Sequence, residues 1–91
     1  MSPFSGVRVL DLTHVLAGPF AAYQLATLGA DVIKIEPPNG ESLRHMAPPG
    51  KSGGFPVVML NANKRGVTLN LKHEQGRAVL KQMVAKADVL L

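Results

Sequence analysis

Val7-Arg8-Val9-Leu10-Asp11-Leu12-Thr13-His14-Val15-Leu16-Ala17-Gly18-Pro19 is the stretch that decides the fold. Its first six residues, mostly apolar, read as a strand. Thr13 to Gly18 read as a loop. Pro19 suits the first turn of a helix, where its missing N–H has no intrahelical partner to lose. Ala21, Ala22, Leu25, Ala26 and Leu28 follow at helical spacing, and Gly29 stands where a left-handed C-cap belongs. Val32-Ile33-Lys34-Ile35 reads as a second strand. Connections this short predict a right-handed crossover between two parallel strands.

Working outward, residues 37–54 carry Pro37, Pro38, Gly40, Pro48, Pro49, Gly50, Gly53 and Gly54 with no periodicity. They read as a loop or lid, and a structureless loop of that length in a small domain is expected to be functional. Phe55 to Leu60 fits either a short helical turn or an extended piece. Val67-Thr68-Leu69-Asn70-Leu71 alternates with period two, as a half-buried strand does. From Glu74 to Ala87, the residues Val79, Leu80, Met83, Val84 and Ala87 form one apolar helical face. Asp88-Val89-Leu90-Leu91 opens a fourth strand. A chain stopping inside an apolar strand reads as truncated. The order β-α-β, loop, β-α-β predicts an α/β fold: a Rossmann-like, open, mainly parallel sheet with flanking helices, formed by residues 1–91 as one segment.

Composition narrows the function. The chain has 91 residues, 46% of them hydrophobic, which excludes intrinsic disorder as the default. No apolar run approaches the roughly 20 residues of a membrane span, and Met1 to Ser5 lack the regions of a signal peptide. Without cysteine there is no disulfide, thiolate metal site or cysteine nucleophile. A cytoplasmic protein with no membrane association is the expectation. The net charge of +4 can attract phosphates. The basic residues are scattered, and one Tyr and three Phe offer few stacking platforms, so nucleic acid is not the expected partner.

Two nucleotide motifs fail. Gly50-Lys51-Ser52 lacks the Gly that a phosphate-binding loop needs five positions earlier, where His45 stands, and it does not follow a strand. The G-x-G-x-x-G fingerprint follows neither the first nor the third strand, so NAD and FAD have no support. The turn Thr13 to Pro19 carries more. Ligands of open α/β sheets sit at the carboxyl ends of strands, and this turn has small residues beside a bulky Val15-Leu16 pair. It suits a flat group such as adenine better than a pyrophosphate cradle.

The run Gly6 to Phe20 is similar to the opening of class III CoA-transferases. So are Leu28-Gly29-Ala30-Asp31-Val32-Ile33-Lys34-Ile35-Glu36 and Asn61-Ala62-Asn63-Lys64-Arg65-Gly66-Val67-Thr68-Leu69-Asn70-Leu71-Lys72. The resemblance covers nearly the whole chain apart from the proline-rich loop. It implies the N-terminal part of an enzyme that moves CoA from an acyl-CoA to a carboxylic acid through an aspartyl-CoA thioester. Its catalytic Asp would lie downstream, leaving no catalytic residue in this chain, and the full-length enzyme would form an interlaced homodimer. Coenzyme A, as acyl-CoA substrate, is the implied ligand, and no metal is implied. By the same match Val15, Leu16 and Ala17 would line the adenine pocket, Leu69 would lie near it, and Lys72 would face the CoA phosphates. Many relatives carry an Arg after the Glu that closes the second strand; Pro37 stands there instead, and Arg44 is a candidate to take up the lost charge. The α-methylacyl-CoA racemases share the fold and are the runner-up, and a stand-alone CoA or adenine-nucleotide module without catalysis is a third reading.

Plainer roles stand beside these. Asp11 reads as a structural acid bonding nearby amides rather than a nucleophile. His14 could touch substrate, yet a lone His without a carboxylate more often packs or hydrogen-bonds. Lys64 and Arg65 read equally as phosphate ligands or as a solvated turn. His45 and His73 lack ligand spacing, so metal is not expected.

Overall fold

A computed structural model of the chain describes residues 2–46 and 54–91. Four parallel strands, β1 (Arg8–Asp11), β2 (Asp31–Glu36), β3 (Arg65–Thr68) and β4 (Val89–Leu90), form one sheet in the order β3-β2-β1-β4. Three helices connect them: α1 (Ala17–Thr27), α2 (Gly54–Asn61) and α3 (Glu74–Val84). A 3₁₀ helix spans Ser42–Met46. The expected parallel α/β sheet is present. Its first three strands are laid down outward from β1, and α3 then carries the chain back across β2 and β1 to the far edge.

Alternation along the strands splits the core in two. Val9 and Val32 face α1 and pack with Ala22, Ala26 and Ala30. Leu10, Ile33 and Ile35 point to the other face and meet Leu80, Met83 and Ala87 of the α3 segment. Each fully buried Val, Leu or Ile contributes about 1.5–3 kcal/mol of transfer free energy. The α1 contact is close because its core positions are alanines. It ends as expected at Gly29, whose φ of 105° only glycine adopts readily, with Ala30 N–H donating to the Leu25 carbonyl at 3.0 Å.

One segment left open by the sequence is decided, and two boundaries differ from its reading. Segment 55–60 belongs to helix α2, whereas its uniformly apolar sequence carried no periodicity. The loop expected over 37–54 contains the 3₁₀ helix and the start of α2; residues 47–53, with Gly50-Lys51-Ser52, lie outside the described residues. The third strand begins two residues earlier than Val67 and ends at Thr68, because Ile33 sits opposite Arg65 and the register runs from there. On α3, Leu80 and Met83 are half-buried, while Val79 and Val84 are exposed. No described helix is long and apolar enough to cross a membrane.

A candidate coenzyme A cleft

A cleft of about 450 Å³ opens at the carboxyl ends of β1, β2 and β3. Leu12, Ile35 and Leu69, one from each strand end, supply apolar lining; Pro37 and Pro38 wall one side, and His14 and Lys72 also border the space. Leu69 is placed there by the last ladder bond of the sheet, its N–H donating to the Glu36 carbonyl at 2.9 Å. The chain then turns at Asn70, whose side-chain oxygen accepts the Lys72 N–H at 3.1 Å. That turn leads into α3, capped by His73 Nδ1, which accepts the Gln75 N–H at 3.1 Å. Lys72 is exposed and has no carboxylate partner among the described residues.

The turn Thr13 to Pro19 is built on buried charge. Asp11 at the end of β1 is fully buried; its Oδ1 accepts the Thr13 N–H at 2.9 Å and the Thr13 hydroxyl. Its Oδ2 pairs with Lys64 Nζ at 2.8 Å. The ammonium also donates to the Pro19 carbonyl at 3.0 Å and to Asn61 Oδ1 at 2.9 Å, so all three of its protons are used. Burial is the largest influence on both members and opposes charge on each. On Asp11 the hydrogen bonds from Lys64 and Thr13 outweigh it and hold the carboxyl below its ordinary value. On Lys64 burial prevails and lowers the ammonium. Gly18 is required where α1 leaves this turn, because a Cβ there would lie 2.3 Å from Thr13 Cβ.

A second buried pair lies on the other flank. Lys34 Nζ stands 3.2 Å from Glu41 Oε1, and Glu41 Oε2 accepts the Leu43 N–H at 2.9 Å and the Val15 N–H at 3.2 Å. Burial works to raise the Glu41 carboxyl, but these amides and Lys34 bring it below its ordinary value. His14 Nδ1 accepts the Ser42 N–H at 2.9 Å, which leaves the ring's proton on Nε2 when neutral.

Of the residues singled out from sequence, His14, Leu69 and Lys72 meet at the cleft. Val15, Leu16 and Ala17 form the adjoining turn and the start of α1 and do not line the cleft; Leu16 is exposed. Arg44 lies against the cleft wall through Glu36, donating from Nε and Nη2 at 2.9 to 3.2 Å. The Lys64 side chain is 1% exposed and inside the fold, and neither of its expected roles, phosphate ligand or solvated turn, describes that position. Arg65 stands at the amino end of the sheet, paired with Asp31 at 2.7 Å and away from the cleft. Sequence reasoning gave no site role to Lys34, Glu41 or Asn61. A lysine inside an otherwise apolar strand was the available signal, since a buried ammonium requires a partner.

The model of CoA-transferase family III matches residues 4–91. The chain belongs to CoA-transferase family III. It is 45% identical to a formyl-CoA:oxalate CoA-transferase of Streptomyces coelicolor, across 94% of this chain and 21% of that protein. Identity is 47% with an acetyl-CoA:oxalate CoA-transferase of Acetobacter aceti, over 97% of this chain and 23% of that one. The crystal structure of a hypothetical protein from Mycobacterium tuberculosis superposes with a TM-score of 0.86 at 40% identity, covering 99% of this chain and 25% of that one. A CAIB/BAIF family protein from Brucella suis gives 0.87 at 37%, over 98% and 25%. This member of the family thus spans about a fifth to a quarter of the proteins it matches.

Proposed function

We propose that this chain supplies the CoA-binding part of an acyl-CoA:carboxylate CoA-transferase. The observation that carries the reading is an apolar cleft at the carboxyl ends of three parallel strands, bordered by an exposed lysine, in a chain of this family. The adenosine end of acyl-CoA lies against Leu69 and the turn Val15, Leu16 and Ala17. Lys72 acts as a compact positive charge toward a phosphate. His14 and Arg44 stand at the margin, while Lys64 serves the fold and Arg65 the far end of the sheet.

In this reading the nucleophile is an aspartate outside these 91 residues. Its carboxylate attacks the acyl carbonyl and expels CoA thiolate, leaving a mixed anhydride. The thiolate returns to the aspartyl carbonyl, giving an aspartyl-CoA thioester and releasing the donor carboxylate. The acceptor acid then repeats both steps in reverse and leaves as its CoA thioester. An interlaced homodimer and a cytoplasmic setting belong to the same proposal.

Calorimetric titration of the chain with CoA and with dephospho-CoA tests the cleft. Lys72→Ala should weaken CoA about fivefold, near 1 kcal/mol for one exposed charge pair. Equal affinity in both forms would remove Lys72 from the site, and absence of CoA binding at millimolar concentration would defeat the reading. At the relatives' full length, label should pass from acyl-CoA to a carboxylate acceptor. Exchange of the proton beside the thioester, without transfer, would instead identify racemase chemistry.

A further inference from the structure

Lys34 and Glu41 take no part in the chemistry proposed above, yet both are almost wholly withdrawn from solvent, at 4% and 0% side-chain exposure. Lys34 rises from the middle of β2, and its Nζ lies 3.3 Å from the Thr13 carbonyl, to which it donates. Glu41 comes from the segment after β2 and accepts the Val15 N–H. Paired with each other, the two side chains grip the backbone on both sides of His14. The His14 ring is tied to Ser42, the residue after Glu41.

Between these ties the backbone is strained. Val15 has φ of 71°, the left-handed region in which a β-branched residue is a true outlier, since Cβ crowds the following carbonyl oxygen. Such a conformation persists only where its surroundings over-determine it. The Glu41 carboxylate is the group that holds the Val15 amide there, and Lys34 holds the carbonyl two residues earlier. Stability alone gives little reason for the arrangement, because apolar side chains of similar volume commonly replace a buried ion pair without loss. What an apolar pair cannot do is hold an amide and a carbonyl in fixed places.

We infer that Lys34 and Glu41 are positioning residues: they lock the turn Thr13 to Val15, with Val15 in the left-handed region, and thereby set the wall that His14 presents to the cleft. The consequence for CoA rests on the function proposed above; the consequence for the turn does not.

Lys34→Met combined with Glu41→Leu tests this, alone and in a Val15→Gly background. Three quantities are read: the melting temperature, the hydrogen-exchange rate of the residue 15 amide by NMR, and the CoA dissociation constant. The apolar pair should melt close to the unsubstituted protein while the residue 15 amide exchanges at least about tenfold faster. CoA should bind about tenfold more weakly, equivalent to 1.4 kcal/mol. In the Val15→Gly background the same replacement should weaken CoA by clearly less, because glycine takes positive φ without the penalty. An unchanged exchange rate at residue 15 overturns the inference, as does an affinity loss of equal size in both backgrounds. If the unsubstituted chain fails to bind CoA while the amide still accelerates, the cleft reading falls and the positioning role stands. Lys34→Met with Glu41→Met, which removes both charges together and leaves no oxygen to accept the Val15 N–H, gives the same comparison should the first apolar pair not fold.

Discussion

Replacing Lys64 by methionine should remove a large share of this chain's stability, and the structure sets the size of the effect. The ammonium is buried and donates to three acceptors: Asp11 Oδ2 at 2.8 Å, Asn61 Oδ1 at 2.9 Å and the Pro19 carbonyl at 3.0 Å. Methionine fills a similar volume, so packing is largely kept. What is lost is the counter-charge of a carboxylate with no route to water, and breaking one side of a buried pair costs about 3–5 kcal/mol. At roughly 0.05–0.15 kcal/mol per residue, the whole chain has about 5–14 kcal/mol. With each kcal/mol worth roughly 4–8 °C in a domain of this size, the midpoint should fall by about 12–40 °C. Urea denaturation followed by circular dichroism at neutral pH measures the loss directly. Asp11→Asn removes the stranded charge, so in that background the same substitution should cost about 1–3 kcal/mol less. A loss under about 1 kcal/mol, or one of equal size with Asp11→Asn present, would refute the reasoning.

Acid should destabilise the fold in a defined window. Asp11, Asp31 and Glu41 all sit below their ordinary values of 3.8, 3.8 and 4.5; for Asp31 the hydrogen bond from Arg65 is the largest cause. The unfolded chain therefore binds protons more tightly, so this stability is fully present above those values and is lost as pH falls through them. Urea midpoints should be level near neutrality and decline below about pH 5, and a level profile down to pH 3 would contradict the hydrogen bonding and ion pairing of these carboxylates. Gly76→Ala should invert a helix rule. Inside a helix alanine normally gains about 1 kcal/mol over glycine, but a Cβ at Gly76 would stand 2.0 Å from the Asn70 carbonyl oxygen. A lower melting temperature is expected, and a higher one would show that the turn before α3 can retreat.

The parts of the fold legible in the sequence were those with local causes. β1 and β2 are short apolar runs closed by a helix whose start is marked by Pro19 and whose end is marked by Gly29. β3 was placed two residues too far along, because its ends are set by pairing with β2 and not by its own alternation. α2 was ambiguous because Val57, Val58, Met59 and Leu60 are apolar on every side. The 3₁₀ helix was hidden because the Leu43 amide is satisfied by the side chain of Glu41, a contact that composition does not reveal. At the candidate cleft, Leu69 and Lys72 were singled out through a resemblance extending past the strand, and both border that space. The charges beneath the turn were missed for a different reason. Lys64 lies 53 residues from Asp11, and nothing near either one announces the other.

The strand order has a kinetic consequence. β1 is inside the sheet, and one of its neighbours, β4, is the last of the four described strands; the Arg8 N–H reaches the Asp88 carboxylate across 80 residues. Closing a loop scales as (3/2)RT ln n, so this pairing carries the largest closure entropy in the sheet, whereas β1 with β2 and β2 with β3 close across much shorter loops. The three-strand unit can therefore form before β4 docks. Substitutions in β1 and β2 should slow folding, while those in Val89 and Leu90 should chiefly quicken unfolding. Of these four strands, β4 is the last to join and the first to leave.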